Sequence, residues 1–511
     1  MPLHLLWLAA GFVLAASAAR AQDPCPGLII QGTVPDGPET HFFLPFEVPA
    51  DIAEIEVRHD DLSSENILDW GLDDPNGFRG WGGGNSEPAV VGIEAASRSY
   101  VPGLMPAGTW EVVVGKAQII ETPAEYDVCV ILRTEPTLPP QPRMPYEDPG
   151  VLDSEARWYA GDFHVHSRQS GDASPSISNT LEFAEEAGLD FVMLSEHNTN
   201  SGLTLYGSVQ PDFPKLLIVP GVEWTTYAGH ANAIGAIDWV DHKVGVRGVT
   251  VEGAIEAYQA QSALFSINHP TVPGGNFCIG CPWEIEVDPR TIDGLEAQGG
   301  IWDAIAYWEQ MCVEGSHATA VGGSDDHQAG DGSGVLYSPI GMPTTMVFAE
   351  NLSVDAILEG VRAGRTVIKV KSIDDPMLET ELSGERVGNT VFADTATLSV
   401  RVTGGTGNTL QVIKNGVVLE TESIDTDPFT HELIVDAPAE EEDRYRHQVV
   451  AAVDPVTIGS YIWLRAAEPP EPGTSRSGCS CRVVTASDQD TGVLLVLLGL
   501  GARYWRRRRA R

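Results

Sequence analysis

The spacing of hydrophobic and polar positions changes along the chain and divides it into three blocks. In the first block, residues 25–133, short runs such as 52–57 and 109–114 alternate apolar and polar residues, and Gly, Pro, Asp and Asn separate the runs. A period of two is typical of strands that bury one face. This block is therefore predicted to form an N-terminal β-sandwich.

The central block, residues 158–371, alternates short apolar runs with amphipathic stretches. Strands are predicted at 191–194, 216–219, 264–267 and 318–321, and helices at 178–187, capped by Ser178, and at 354–362. Strands that alternate with helices favour an α/β fold with a parallel sheet, and a barrel is the expected closed form. In such a barrel the strand ends meet at one mouth.

The third block, residues 376–466, returns to alternation at 398–402 and 410–413, and the pair Asn415-Gly416 favours a hairpin turn. A C-terminal β-sandwich is predicted here. The segment 134–157 begins with many prolines and is predicted to be a linker, and 467–478 is predicted to be a spacer.

Both ends of the chain are predicted to be targeting segments. Residues 1–21 are apolar and small up to Ala19-Arg20-Ala21, which predicts a signal peptide and export. Residues 479–511 combine a cysteine motif, a short apolar run and an arginine cluster, and resemble a MYXO-CTERM sorting signal. A simple transmembrane tail anchor is the alternative. We expect the protein at the cell surface or outer membrane, or in the extracellular space.

The charge balance excludes several classes of partner. The chain has 31 Lys and Arg against 72 Asp and Glu, a formal net charge of −41. Nucleic acids and anionic membranes bind basic surfaces, so neither is expected as a partner. The expected partner is a small-molecule substrate, with membrane contact only through the C-terminal segment. A phosphorylated substrate would have to be held by metal ions.

Seven cysteines in an exported chain favour disulfides. Cys25 and Cys129 bracket the first block and are predicted to form one bridge. For Cys278 and Cys281 a local disulfide is favoured over a zinc site, because a four-sulfur site would need another ligand within reach. Cys312 is then either a free thiol or part of a rearranged pairing.

Residue types that bind metals recur after the strands of the central block. His164 and His166 are two positions apart on a predicted strand, so both side chains point to the same side. A carboxylate can bridge two ions, which makes Glu223 the expected shared ligand. Any one histidine would more often be structural, but the ordered set predicts a metal cluster built from strand ends: His164, His166, Asp172, His197, Glu223, Asp325 and His327.

The order and local sequences of these motifs resemble the PHP (polymerase and histidinol phosphatase) metal-dependent hydrolases, and more narrowly their CehA/McbA-like branch. The resemblance covers residues 158–371 and implies a distorted (β/α)7 barrel with two or three Zn, Mn or Fe ions. It assigns the ligands to three ions: His164, His166, Glu223 and Asp325 to the first; Glu223 and His269, with His230 as a further candidate, to the second; Asp172, His197 and His327 to the third. Glu196 stands where this family usually has Asp.

The ordered ligand-type residues predict the metal ions, and the resemblance implies the reaction: an exported metal-dependent hydrolase, with a phosphomonoester or phosphodiester as substrate and a hydroxide shared by two ions as nucleophile. Glu223, Asp325 and His269 are the expected catalytic residues. Arg168 and Arg365 are candidates for a phosphate clamp, with a surface charge and a helix C-terminal contact as their alternatives. Asn198 and Asn232 are candidates for contacts behind the ligands. The alternatives are a carbamate, ester or amide hydrolase, and a non-catalytic surface adhesion or glycan-binding protein.

Overall fold

The computed structural model describes residues 24–275, 278–332, 337–439 and 441–466. The predicted signal peptide, spacer and sorting segment lie outside these residues and stay predictions. Within the described part of the chain, no helix is both long and apolar enough to cross a membrane.

The first block forms two antiparallel four-stranded sheets, ordered β1-β8-β3-β6 and β2-β7-β4-β5. Apolar side chains from both sheets, including the fully buried Trp110 and Ile55, form one core. A disulfide joins Cys25 to Cys129 on β8, as predicted. The strands are β1 Leu28–Thr33, β2 His41–Val48, β3 Glu54–Asp60, β4 Ile67–Asp74, β5 Gly77–Gly83, β6 Ala89–Gly92, β7 Gly108–Gln118 and β8 Glu125–Arg133.

The central block contains ten strands and five α-helices among the described residues. The strands are β9 Arg157–Val165, β10 Phe191–His197, β11 Leu217–Thr226, β12 Gly229–Ile234, β13 Leu264–Ile267, β14 Gly294–Gly299, β15 Trp302–Asp303, β16 Thr319–Gly323, β17 Thr344–Ala349 and β18 Thr366–Lys369. The helices are α1 Ile177–Glu186, α2 Leu203–Val209, α3 Val251–Gln259, α4 Ile305–Val313 and α5 Val354–Arg362, and short 3-10 helices cover Arg168–Ser170, Gln210–Asp212 and Pro289–Thr291.

This part of the fold is mixed α/β and departs from the expected (β/α)7 barrel. Its sheet runs β15-β14-β13-β12-β11-β10-β9-β17-β18, with β16 beside β14. Strands β11, β12 and β13 pair antiparallel, as do β9 and β17. Only Tyr227 and Ala228 separate β11 from β12, which suits a hairpin but is far too short for a helical crossover. Within the described residues, β9 and the end of β16 share only the isolated bridge Val165–Asp326, so the hydrogen-bonded sheet is not closed.

The helix boundaries follow from local capping. Helix α1 begins one residue earlier than predicted, because Ser176, and not Ser178, is its N-cap and accepts a hydrogen bond from the Asn179 amide. Helix α5 has the predicted bounds, and Ser353 caps it by accepting from the Ala356 amide. Both helices bury an apolar face against the sheet.

The third block adds ten strands and shares a sheet with the central block. Strands β20-β19-β22-β25 form one sheet, while β27-β26-β23-β24 extend the central sheet through the pairing of β18 with β27. Asn415 and Gly416 have positive φ angles of 51° and 81° and form the predicted hairpin turn. The strands are β19 Met377–Leu382, β20 Glu385–Arg386, β21 Thr390–Phe392, β22 Thr395–Thr403, β23 Thr409–Lys414, β24 Val417–Ser423, β25 Phe429–Asp436, β26 Asp443–Ala451, β27 Asp454–Gly459 and β28 Ile462–Arg465.

Candidate metal centre

Strand β9 carries His164 and leads directly to His166, and a buried carboxylate fixes its end. The Asp162 side chain accepts hydrogen bonds from the backbone amides of His164 at 3.0 Å, Ser324 at 3.1 Å and Gly341 at 2.8 Å. These bonds tie β9 to the loop that follows β16. Asp162 therefore holds together two segments that carry ligand-type residues.

The loop after β16 brings Asp325 and His327 beside the two histidines of β9. The Asp325 amide donates to the His164 carbonyl at 2.8 Å, and the His166 amide donates to the Asp326 carbonyl at 3.0 Å. Asp325 has φ 57°, a left-handed conformation that is unfavourable for a non-glycine residue. The two backbone bonds hold it in this conformation. The Nδ1 atom of His327 lies 2.9 Å from the Asp325 carbonyl, which leaves its Nε2 atom for another partner.

The first group of ligand atoms contains His164, His166, Glu223 and Asp325. Asp325 Oδ1 lies 3.2 Å from His164 Nε2 and 3.1 Å from His166 Nε2, and the Glu223 oxygens lie 3.4 and 3.5 Å from the same nitrogens. Both imidazole Nε2 atoms, Glu223 Oε2 and Asp325 Oδ1 are buried without a hydrogen-bond partner among the described residues. Metal–ligand bonds of about 2.1 Å in a tetrahedron separate the ligand atoms by about 3.4 Å. The group therefore fits one divalent cation.

The second group surrounds Glu223 Oε1, the oxygen that also lies 3.4 Å from His164 Nε2. His230 Nδ1 and His269 Nε2 each lie 3.3 Å from Glu223 Oε1, so the structure brings both candidate histidines to this position. The Asn268 side-chain amide donates to the same oxygen at 3.1 Å and orients the carboxylate. Because Oε2 faces His166 and Oε1 faces His230 and His269, Glu223 is placed to join two cations.

The third group lies at the open side of the cluster. Asp172 Oδ2 is 3.2 Å from His197 Nε2 and 3.4 Å from His327 Nε2. His197 Nδ1 lies between Thr225 Oγ1 at 2.8 Å and Glu223 Oε2 at 2.7 Å, so the third group adjoins the first two. All nine sequence-predicted ligand residues thus come together in one cluster.

The charges in this cluster act strongly on one another. Burial lowers the pKa of His197, but the carboxylates of Asp172 and Glu223 outweigh it and hold that pKa well above its usual value. Burial and the charges of His327 and His197 lower the pKa of His166 to about 3. The pKa of Glu223 lies well below its usual value, because the charges of His164 and His197 outweigh its burial. The carboxylates thus stay charged and attract cations.

Three residues to which the sequence analysis gave no role orient the ligand-type residues. Glu296 Oε2 accepts from the His269 amide at 2.8 Å and lies 3.4 Å from His164 Nδ1. Ser170 Oγ lies 3.1 Å from His166 Nδ1 and accepts from the His197 amide, and Asn268 orients Glu223. For Glu296 the sequence offered one signal, a carboxylate between the apolar residues Leu295 and Ala297. In the structure Glu296 lies in β14, where every residue is buried.

The residues expected behind the ligands do contact the ligand-bearing strands. Asn198 exchanges hydrogen bonds with the Thr225 backbone, and the Asn232 side chain donates to the Phe163 carbonyl. Glu196 accepts from the Ser167 hydroxyl at 2.5 Å and from the Ser167 amide at 3.1 Å, and burial raises its pKa to about 8. Glu196 therefore fixes the turn after His166.

The structure does not place the two candidate clamp arginines in the site. Arg168 is exposed and does not line the cavity at the cluster. Arg365 donates from Nε to the Phe348 carbonyl at 3.3 Å, a structural contact near the end of α5. The phosphate-clamp interpretation is therefore not supported for either residue, because neither guanidinium reaches the ligands.

The cysteines of the central block pair locally. Cys278 and Cys281 form the predicted disulfide, and Cys312 is free and buried. Cys281 Sγ lies 3.4 Å from His269 Nδ1, so the disulfide packs against the second group of ligands.

A cavity of about 870 Å³ opens over the cluster. Asp172, His197, His230 and Asp325 line one side of it. The N-terminal sheets supply another side, through residues that the sequence did not suggest: His41, Ile67, Asp69, Trp81, Gly82, Gly83, Gly84, Asn85 and Ser86. No Lys or Arg of the described residues lines the cavity.

No protein-family model and no curated protein matches this chain. Among solved structures, it is similar to a two-domain protein from Bacteroides vulgatus that contains a predicted PHP-like metal-dependent phosphoesterase. That similarity has 18% identity and a TM-score of 0.34, and it covers 63% of this chain and 99% of the other. A putative metal-dependent phosphoesterase from Bifidobacterium adolescentis matches with 14% identity and a TM-score of 0.25, over 35% of this chain and 91% of the other. Both TM-scores are too low to establish a shared fold.

Proposed function

We propose that the protein is a metal-dependent hydrolase that cleaves phosphate esters. The observation that carries the proposal is the cluster of nine ligand-type residues, in which four buried atoms at ligand distances have no hydrogen-bond partner among the described residues: His164 Nε2, His166 Nε2, Glu223 Oε2 and Asp325 Oδ1. Unpaired buried polar atoms are costly, so such a set is expected to bind cations. An adhesion protein with a vestigial site would not need all nine residues, so the complete set favours an enzyme.

The residues would hold two or three ions of Zn, Mn or Fe as the three groups described above. When bound, such ions lower the pKa of water and neutralise the oxygens of a phosphoryl group. Asp172, Glu223 and Asp325 contribute three negative charges, which offset half of the six positive charges of three divalent ions. The loaded cluster would keep a net charge of +3 (6 − 3), which attracts an anion.

The chain's own side chains prepare the site for this anion. Asp325 and Glu223 fix the positions of the first two groups, and Asp162 and Glu296 fix the segments that carry them. Because no Lys or Arg of the described residues lines the cavity, the attraction for a phosphoryl group would come from the metal centre alone. His197 and Asp172 are exposed to the cavity, which suits contact with substrate.

The experiment is a substrate panel on the full chain after loading with Zn, Mn or Fe. We expect hydrolysis of para-nitrophenyl phosphate or bis(para-nitrophenyl) phosphate, with loss of activity on chelation and in Asp325→Asn. Hydrolysis of a para-nitrophenyl carbamate or ester without any phosphate ester would favour the alternative hydrolase. Full metal content with no hydrolysis of any of these substrates would contradict an enzymatic role.

We also propose that the protein acts outside the cytoplasm. The disulfides Cys25–Cys129 and Cys278–Cys281 support this, because disulfides persist in oxidising compartments. Cell fractionation with antibody detection tests it, since a protein recovered only from the cytoplasm would contradict export.

A further inference from the structure

The loop closed by the Cys278–Cys281 disulfide, which we call the disulfide loop, lies beside the second group of ligand-type residues. Gly280 in this loop has φ 101°, and a Cβ atom there would come 2.1 Å from the Thr226 carbonyl oxygen and 2.8 Å from His230 Nε2. Only glycine permits this backbone conformation and this close approach. The loop is therefore fitted against the end of β11 and against a histidine of the cluster.

Each histidine of the second group has one ring nitrogen near Glu223 and the other on the disulfide loop. His230 Nδ1 lies 3.3 Å from Glu223 Oε1, and its Nε2 lies 2.8 Å from the Ile279 carbonyl oxygen. His269 Nε2 lies 3.3 Å from the same carboxylate oxygen, and its Nδ1 lies 3.4 Å from Cys281 Sγ. The loop thus contacts both rings through the nitrogens that do not face Glu223.

These contacts decide which nitrogen of each ring is free to bind a cation. A histidine binds a cation in its neutral form, with one nitrogen protonated and the other free. The Ile279 carbonyl only accepts, so the His230 proton lies on Nε2 and the Nδ1 lone pair faces Glu223. A disulfide sulfur carries no proton and is a weak acceptor, so Cys281 favours the His269 proton on Nδ1 and leaves Nε2 free. Groups behind metal-binding histidines orient the ring in this way.

We propose that the disulfide loop is a redox-sensitive positioning element for the second cation, which binds tightly only while Cys278 and Cys281 are joined. Reduction opens the ring of residues that holds Ile279 and Cys281 against the two histidines. The Cys281 thiol then has a proton that it can donate to His269 Nδ1, and this arrangement places the imidazole proton on the nitrogen that faces Glu223. This inference rests on the proposed function, because it concerns an ion of the same centre, and it adds a mode of regulation.

The reductant in this step is a dithiol, with dithiothreitol as the probe. Cys278 is half-buried and lines the cavity, so a small thiol reaches its sulfur from there. A thiolate of the reductant attacks Cys278 Sγ, the bond to Cys281 Sγ breaks, and the released Cys281 thiolate takes up a proton. The second thiol of the reductant then attacks its own sulfur in the mixed disulfide. Cys278 leaves as a thiol, and the reductant leaves as a cyclic disulfide.

The test is a calorimetric Mn²⁺ titration of the full chain, with elemental analysis of the bound ions. Mn²⁺ prefers oxygen ligands to thiolates, so the new thiols add little affinity of their own. The double variant Cys278→Ser/Cys281→Ser should bind the second ion about 10 to 100 times more weakly, which is the usual loss when a group behind a ligand is removed. The wild type should show the same loss after reduction and removal of dithiothreitol without oxygen, and re-oxidation should restore its affinity.

Cys312→Ala is the matched control, because it removes a buried thiol on α4 that does not line the cavity. It should bind Mn²⁺ and respond to the reductant as the wild type does. The serine variant keeps the Cys25–Cys129 bridge, so its loss comes from the disulfide loop alone. In His269→Ala, reduction should weaken Mn²⁺ binding less than in the wild type, because one of the two contacts with the loop is already absent.

Equal Mn²⁺ affinity and ion number in the oxidised, reduced and serine-substituted proteins would overturn the inference, as would a loss that re-oxidation does not reverse. The reciprocal effect gives a second measurement, since two coupled equilibria shift each other by the same factor. Saturating Mn²⁺ should lower the reduction potential of the Cys278–Cys281 disulfide by about 30 mV for each tenfold difference in affinity. An unchanged potential would also contradict the coupling.

Ion binding and ester cleavage are measured separately, so the two proposals fail in different ways. Redox-dependent Mn²⁺ binding without hydrolysis of any phosphate ester would contradict the proposed function and support the role of the disulfide loop. Hydrolysis of para-nitrophenyl phosphate with Mn²⁺ binding that does not depend on the disulfide would do the reverse. A chain that binds no Mn²⁺ in either redox state would contradict both.

Discussion

Glu223→Gln is the sharpest test of the metal centre, because it removes one charge and almost no volume. Glu223 Oε1 lies 3.3 Å from both His230 Nδ1 and His269 Nε2, and Oε2 lies 3.5 Å from His166 Nε2. The residue is fully buried, so water cannot replace the lost charge. We expect the variant to lose metal ions as well as activity.

The size of the loss follows from the distances. Two unit charges about 4 Å apart interact by about 4 kcal/mol at an effective dielectric constant of about 20. A divalent ion among these ligands would carry twice the charge and lie closer to the carboxylate, so about 4 kcal/mol is a lower bound. Since about 1.4 kcal/mol is a factor of ten, the dissociation constants of the ions that Glu223 joins should rise at least about a thousandfold.

Elemental analysis after dialysis, combined with calorimetric metal titration, measures this effect. Glu196→Gln is the control, because Glu196 is equally buried beside the cluster and its hydrogen bonds go to Ser167 and not to an imidazole. Burial raises its pKa to about 8, so this substitution makes the same change of shape without removing a charge at pH 7. It should keep its metal content. A Glu223→Gln protein with the wild-type number of ions and wild-type affinity would refute the bridging role of this carboxylate.

Three further predictions concern the third group, the disulfide and the pH dependence of stability. His197→Ala should lose about one ion and keep residual activity, while His166→Ala should lose nearly all activity. Metal analysis and kinetics on both variants measure this, and identical defects would show that the residues do not form separate ion sites. Replacing Cys25 and Cys129 by Ala should lower the free energy of unfolding by about 4 to 5 kcal/mol, since the bridge spans a sequence separation of 104, and denaturant unfolding measures this. Burial lowers the pKa of His447 from 6.5 to about 3 in the folded state, so the unfolded state binds more protons below pH 6.5 and stability falls as the pH drops. Between pH 7 and 5 this residue should account for about 2 kcal/mol of the fall, which His447→Gln should remove. Denaturant unfolding at several pH values measures this, and an unchanged pH profile would disprove it.

Much of the candidate metal cluster could be predicted from the sequence, because several of its residues lie at or just beyond the end of a short apolar strand. Residues at strand ends need only one piece of tertiary information, namely that neighbouring strands end at the same edge of the sheet. Strands β10 and β13, which place His197 and His269, were recognisable from their apolar spacing, as was helix α5. The three groupings came from a resemblance and not from spacing; the structure brings the members of each group together, and their division among ions stays a prediction.

The same pattern led to the expected barrel, and it could not reveal the mixed sheet that the structure has instead. Apolar runs identify strands but carry no direction, and β12 looks like any other strand although it pairs antiparallel with both neighbours. The length of the connection was the better signal, because the two residues between β11 and β12 exclude a helix. The contribution of Asp69 was out of reach for another reason: its contact with Tyr227 spans 158 positions and depends on how the sheets pack.

The backbone of the candidate metal centre shows how the fold holds the ligand-type residues. Asn198, His269 and Asp325 all have positive φ angles, of 50°, 26° and 57°, and each either is a ligand residue or follows one directly. Such conformations cost a non-glycine residue of order 1 kcal/mol or more and persist only where other contacts impose them. Three contacts impose them here: the Asn198 side chain bonds to the Thr225 backbone, the His269 amide bonds to Glu296, and the Asp325 amide bonds to the His164 carbonyl. Each of these bonds joins a segment that carries a ligand-type residue to a neighbouring segment of the site. The unfavourable backbone and the bonds that compensate it therefore belong to the same network, which positions the imidazoles and carboxylates before any cation arrives.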